Sequence, residues 1–78
     1  MKIILNFNYR GHELKKTVKK GNQYLVAYLE NTETGEPFRF FCFNNSVFHN
    51  FDNLKRDTNY DFIFRISEMS IFLEGVEC

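Results

Sequence analysis

The sequence predicts an all-β fold, a small five-stranded Greek-key barrel with one short helix between its third and fourth strands. Three observations lead there. Apolar and aromatic residues alternate with polar ones through most of the chain, the period of a half-buried strand. Gly21 to Phe43 reads as an aromatic hairpin, with Tyr24 to Leu29 and Phe38 to Phe43 bounded by Gly, Asn and Thr, the composition expected of paired strands. Only one segment, just after Phe43, carries apolar residues at helical spacing.

Taken in order, Lys2 to Tyr9 reads as a strand with Ile3, Leu5 and Phe7 on one face and Ile4, Asn6 and Asn8 on the other. Arg10-Gly11-His12 marks a bend or bulge. Glu13 to Lys19 resumes with Leu14 and Val18 among lysines and Thr17. The opening strand is therefore either additional to the barrel or one long bent strand with Glu13 to Lys19. Lys20-Gly21-Asn22 is a turn into the hairpin.

Two registers are open for that hairpin. Thr32-Glu33-Thr34-Gly35 fits a type I turn closed by a glycine at positive φ, where the missing Cβ removes the steric penalty. A three-residue loop sets Leu25, Ala27 and Leu29 opposite Phe43, Phe41 and Arg39. Moving one residue sets them opposite Cys42, Phe40 and Phe38 and exchanges the faces. The second register is preferred because it keeps Arg39 and Glu36 out of the core, and it requires a four-residue loop or an extra bulge. It sends Tyr24, Val26, Tyr28, Arg39, Phe41 and Phe43 to the outer face. In the first register Phe41 and Phe43 are core.

Beyond Phe43, Asn44-Asn45-Ser46 is a helix cap, and Val47, Phe48, Phe51 and Leu54 supply an apolar stripe. Two turns of helix do not stand alone, so this element plugs a core. Lys55 to Asn59 is turn-like. Tyr60 to Ser67 sets Tyr60, Phe62, Phe64 and Ile66 against Asp61, Ile63 and Arg65, and Ile71 to Val76 closes the sheet. The sole proline, Pro37, starts the second hairpin strand, where a missing N–H is tolerated.

Seventy-eight residues make one domain, 1–78. Such a chain buries only roughly 60 to 65% of its unfolded surface. An aromatic content of 18% within 44% hydrophobic residues supplies dense packing and argues against disorder. Two cysteines, Cys42 in a strand and Cys78 at the end, with no secretory leader expected in MKIILNF, point to unbridged thiols and a cytoplasmic setting. Charge interrupts every apolar run, so no membrane span is expected.

Net charge is zero, yet residues 1 to 20 hold Lys2, Arg10, Lys15, Lys16, Lys19 and Lys20 against one acid, Glu13. The remainder is acidic by the same amount. Such segregation focuses a field that attracts anions, and equally serves as a solvated edge that discourages aggregation.

The strand order with a helix after the third strand favours the OB-fold over a small SH3-like barrel, which commonly has only a 3₁₀ turn there. Leu29-Glu30-Asn31-Thr32-Glu33-Thr34-Gly35, followed by alternating aromatics through Phe43, resembles the crossover from second to third strand in OB-fold domains of the single-stranded nucleic-acid-binding group. Asn31 stands where that group more often has aspartate. The resemblance implies a non-catalytic accessory protein of replication or recombination that binds single-stranded DNA or RNA. Carried over by position, it nominates Tyr24, Tyr28, Arg39, Phe41 and Phe43 as stacking platform. Lys15, Lys16, Lys19 and Lys20, with Lys55 and Arg56 beyond the helix, are the cations for phosphate. Glu30, Glu33 and Glu36 oppose phosphate at the far end of the same hairpin.

The alternative is a protein-interaction or oligomerisation module using the same aromatic face, with a protein partner or a second copy and no nucleic acid. Catalysis is not expected. His12 and His49 share no metal-ligand spacing with a cysteine, the four glycines are isolated, and no cofactor motif is present.

Overall fold

The computed structural model describes residues 1–77. Strands β1 (Lys2–Lys16), β2 (Gln23–Glu30), β3 (Pro37–Cys42), β4 (Thr58–Ser67) and β5 (Ser70–Glu77) form one antiparallel sheet in the order β3-β2-β1-β4-β5. A 3₁₀ helix, Asn45–Phe51, follows β3.

The opening strand and the segment after the bend are one strand. Residues 2–9 of β1 pair with β4, and residues 8–16 pair with β2. Between Tyr9 and His12 the register slips by one residue, and Gly11 there adopts φ +124°, a conformation that side chains resist. The bulge inverts side-chain parity. Phe7 and Tyr9 point inward before it, and His12 and Leu14 share the faces of Ala27 and Leu25 after it. β1 ends at Lys16, earlier than expected, because Thr17 N–H donates to the Asn22 carbonyl at 2.8 Å and closes a loop with Gly21 at positive φ.

The β2–β3 hairpin takes the preferred register, with Leu25, Ala27 and Leu29 opposite Cys42, Phe40 and Phe38. Asn31 N–H donates to the Glu36 carbonyl at 2.9 Å, leaving a four-residue loop from Thr32 to Gly35. The Asn31 side-chain oxygen accepts from the Glu33 and Thr34 N–H groups, and Gly35 lies at φ +74°. Asn31 thus organises the turn as an Asx cap.

The sheet is not closed into a barrel, which corrects the expected Greek-key barrel and, with it, the OB-fold resemblance. No ladder joins β3 to β5, although the sheet curls far enough for their Cα atoms to approach within 8 Å. In a flat sheet β3 and β4 would lie about 14 Å apart, yet the Phe40 and Phe64 rings meet at 4.7 Å. Two features blunt the facing edges: β3 has six residues and begins at Pro37, and the register slip between Ile63 and Phe64 leaves Glu74 of β5 without an opposite residue.

The expected helix is a 3₁₀ helix. Asn44 caps it, accepting from Ser46 N–H and Ser46 Oγ–H. Phe48, Phe51 and Leu54 recur every third residue, matching three residues per turn. Phe51 is fully buried and stacks on Phe62 at 6.5 Å, and Val47, Phe48 and Leu54 pack against the same core cluster.

The concave side holds the core: Phe7, Tyr9, Leu25, Ala27, Leu29, Cys42, Phe51, Phe62, Phe64, Leu73 and Val76. Phe7 is its hub, touching Phe38, Phe40 and Phe64 at 5.6 to 5.8 Å. Burying such a side chain contributes about 1.5 to 3 kcal/mol by area alone.

Two outcomes test this account. Phe64→Ala, which removes the contact that spans three strand steps, lowers the unfolding free energy by about 3 to 5 kcal/mol in urea denaturation; a loss below about 1 kcal/mol would show that the curl does not depend on it. Gly11→Ala forces a Cβ into positive φ with Arg56 Nη2 3.3 Å away and costs about 1 to 3 kcal/mol. An unchanged urea midpoint would contradict a required bulge.

Candidate functional site

The outer face of β2 and β3 carries what the core leaves out. Tyr24, Val26 and Tyr28 alternate outward on β2, and Arg39 and Phe41 do so on β3, with Phe43 just past its end. Val26 is 2% exposed yet lies outside the core cluster. Its ladder neighbours Glu13 and Phe41 flank it, so the outer face has a small apolar layer of its own. Phe41 and Phe43 remain 42% and 52% exposed.

These rings form a continuous strip. Tyr24 meets Phe41 edge-on at 5.9 Å and Phe43 at 5.6 Å. Phe43 in turn meets Phe72 of β5 at 5.7 Å, so the strip crosses the open seam between the sheet edges. Arg65 sits 5.0 Å above the Phe72 ring and pairs with Glu74 at 3.3 Å, a cation–π contact held in place by a carboxylate. Beside the strip lies a shallow hollow of about 300 Å³ lined by Lys16, Thr17, Val18, Tyr24, Phe41 and Phe43. Val18 stands fully exposed on its rim.

The cations are dispersed. Lys15, Lys16, Lys19 and Lys20 are exposed at the start of β2. Arg39 lies near the opposite end, opposite Tyr28, whose hydroxyl donates to Glu13 at 3.0 Å. A second hollow of about 360 Å³ opens there, between Arg10, Glu30 and Arg39. Lys55 and Arg56 belong to the connection into β4, and Arg56 lies against Gly11, about 17 Å along β1 from Lys16. The fold brings Lys16 together with Tyr24, Phe41 and Phe43, and separates Lys55 and Arg56 from them.

This arrangement overturns the expectation of a single-stranded nucleic-acid-binding or replication and recombination accessory protein. That reading depended on a closed barrel whose second and third strands floor a groove. The sheet is open at the β3–β5 seam, and no continuous row of cations follows the aromatic strip. Clustered aromatics beside ion pairs fit a protein-interaction surface better.

Phe72, Arg65 and Val18 belong to this surface and were not among the sequence candidates. Arg65 and Phe72 flank the tight β4–β5 turn symmetrically, a pairing that hairpin geometry alone would have revealed.

A polar relay sits at the Gly11 bulge. Tyr9 O–H bonds His12 Nδ1, and His12 Nε2 lies 3.6 Å from Asp52 Oδ1. The relay fastens the Gly11 bulge to the end of the 3₁₀ helix. Asp57 N–H adds a bond to the Tyr9 carbonyl at 2.8 Å, and the Arg10 side chain pairs with Asp57 and, at 3.6 Å, with Glu30. Among the described residues no group of three His, Cys, Asp or Glu side chains is placed to hold a metal. Nor is any helix among them long and apolar enough to cross a membrane. Cys42 is a buried free thiol, and Cys78 lies outside the described residues.

No protein-family model matches the chain, and searches of curated proteins and of solved structures return no match.

Burial pushes the Cys42 thiol up, against a smaller opposing pull from a backbone hydrogen bond at Asn44, and burial likewise pushes up the Tyr9 phenol. Each group loses its proton more readily once unfolded. Their contribution is complete below the unfolded values, roughly pH 8.5 for a thiol and 10 for a phenol, and is lost as pH rises through the folded ones. Urea midpoints measured across the alkaline range should therefore fall more steeply for the parent protein than for Cys42→Ala. Parallel slopes would refute a raised thiol.

Proposed function

We propose that the chain is a protein-interaction module that works by binding alone, with the outer strip of Tyr24, Phe41, Phe43 and Phe72 as its contact surface. The observation that carries this reading is the contiguity of the rings. Single exposed apolar residues are ordinary, whereas a joined patch rimmed by polar groups marks a place where another surface docks. Aromatic and arginine side chains are also the residues that most often anchor protein interfaces, and Arg39 and Arg65 lie at the two ends of this strip.

The ten phenylalanines sharpen the point. Four are buried in the core and three more pack partly against it, leaving Phe41, Phe43 and Phe72. Those three do not scatter over the surface. They gather with Tyr24 on one strip, so the excess aromatic content is placed.

A reducing, cytoplasmic setting belongs to the same proposal and is supported by the free thiol of Cys42. Binding without catalysis is supported by the position of the His12 relay, which ties the bulge to the helix with Tyr9 only 3% exposed.

The test places a photo-crosslinking phenylalanine analogue at Phe41 and, as a control, at Met69, which is 95% exposed in the β4–β5 turn. Irradiation in cells should give protein adducts from position 41 and none from position 69. Adducts to nucleic acid, equal labelling from both positions, or none from position 41 would each defeat the reading.

A further inference from the structure

We propose that the partner of this surface is a second copy of the chain, packed outer face to outer face about a two-fold axis that lies perpendicular to β2. The inference rests on the reading of the strip as an interaction surface and adds what occupies it.

β2 is a strand of eight residues, about 26 Å long, and its two ends carry opposite charge. At its start stand Lys15 and Lys16, the last residues of β1, and Lys19 and Lys20 in the connecting loop. At its end stand Glu30, Glu33 and Glu36 around the hairpin tip. Arg10 already pairs with Glu30 and with Asp57. Among the described residues the four lysines, Glu33 and Glu36 make no ion pair. Midway between these ends lie Val26 and Phe41, with Tyr24 and Phe43 toward the lysine end and Arg39 and Tyr28, which holds Glu13, toward the glutamate end.

Two sheets that pack face to face keep their strands close to aligned, so two in-plane two-fold axes are available. An axis parallel to β2 sets lysine loop against lysine loop and glutamate tip against glutamate tip. An axis perpendicular to β2 sets each lysine loop against the glutamate tip of the other copy, twice per dimer. Like charges in apposition disfavour the first arrangement.

The perpendicular axis also orders the apolar contacts. Phe41 lies opposite Val26 at the middle of the strand, so the two Phe41 rings meet near the axis. Arg39 of each copy comes over the Phe43 ring of the other, a cation–π arrangement. Such an interface is isologous, since every contact occurs twice and the assembly closes at two copies. Exposed charge pairs add little affinity individually and are screened within about 8 Å at physiological salt. They select the axis, while the rings supply the attraction.

The experiment uses two charge-reversed variants, K19E/K20E and E33K/E36K. All four side chains are exposed, so both variants keep the parent circular dichroism spectrum. By light scattering over a concentration series, the parent protein climbs from 9.4 kDa toward twice that mass, and each variant alone stays at the monomer mass. An equimolar mixture of the two recovers the parent curve, because the mixed dimer restores both loop-to-tip contacts. A parent protein that stays monomeric overturns the proposal, as does a variant that dimerises like the parent or a mixture that fails to recover. Those failures are separable from failure of the interaction surface itself. A Phe41 photo-adduct to a different protein from a monomeric chain removes the second copy and leaves the surface, whereas no adduct at all removes both.

Discussion

The constraint on which this structure depends is the bulge at Gly11. β1 is the strand that belongs to both halves of the sheet, paired with β4 along residues 2–9 and with β2 along residues 8–16. If its alternation ran unbroken, the inward sequence of Phe7 and Tyr9 would continue through Gly11 to Glu13, and a carboxylate would enter the core. The extra residue puts His12 and Leu14 on the face of Ala27 and Leu25, although Leu14 stays exposed, and sends Glu13 and Lys15 out. A backbone at φ +124° makes this possible, and the contacts around it, from Tyr9, His12, Asp52 and Asp57, hold it in place. Bulges of this kind increase local twist and bend the strand. The curl that brings β3 and β4 side chains together begins here.

That curl has two consequences that oppose one another. It closes the concave side around Phe7, which fills the core with edge-on aromatic contacts and compensates for the small size of the chain. It also brings the edges β3 and β5 near each other without joining them. Where the ladder is missing, Phe43 and Phe72 touch instead, and the outer aromatic strip is continuous because of it. A fully hydrogen-bonded seam would demand a longer β3 without Pro37 and a β5 without its bulge. The features that keep the edges from pairing therefore also shape the surface offered to a partner.

Much of this was legible in the residues. The change of parity from Ile3, Leu5 and Phe7 to Leu14 announces the bulge, and the exclusion of Arg39 and Glu36 from the core fixes the hairpin register, as found. Closure was not legible, because alternation is the same in an open sheet and a barrel. What separates them is strand length, twist and one ladder between distant segments. The resemblance carried by Leu29 to Gly35 misled for a related reason: an Asx-capped four-residue loop with a glycine at positive φ recurs wherever such a hairpin is needed. The 3₁₀ helix has a plain local signature, since Phe48, Phe51 and Leu54 repeat every three residues. The pairing of Phe72 with Arg65 follows from the local hairpin, whereas its contact with Phe43 depends on the β3 edge arriving beside it, which no local pattern encodes.

The outer strip and the charged ends of β2 have to be considered together. A chain of zero net charge gains little from long-range self-repulsion as protection against association, and this one exposes joined aromatic rings on its surface. Charge segregated along a single strand supplies discrimination that net charge cannot. Lysines at one end and glutamates at the other penalise most orientations in which two such faces can meet, and favour antiparallel ones. An aromatic patch that would otherwise stick in many registers is thereby restricted to few, which is what specificity requires of a small sheet with open edges. Association also bears on stability. A partner that binds only the folded state deepens it by mass action. The strip and the core are then two parts of one solution: the bulge at Gly11 curls the sheet, the curl fills the core, and the rings left outside are placed where a second surface can bury them.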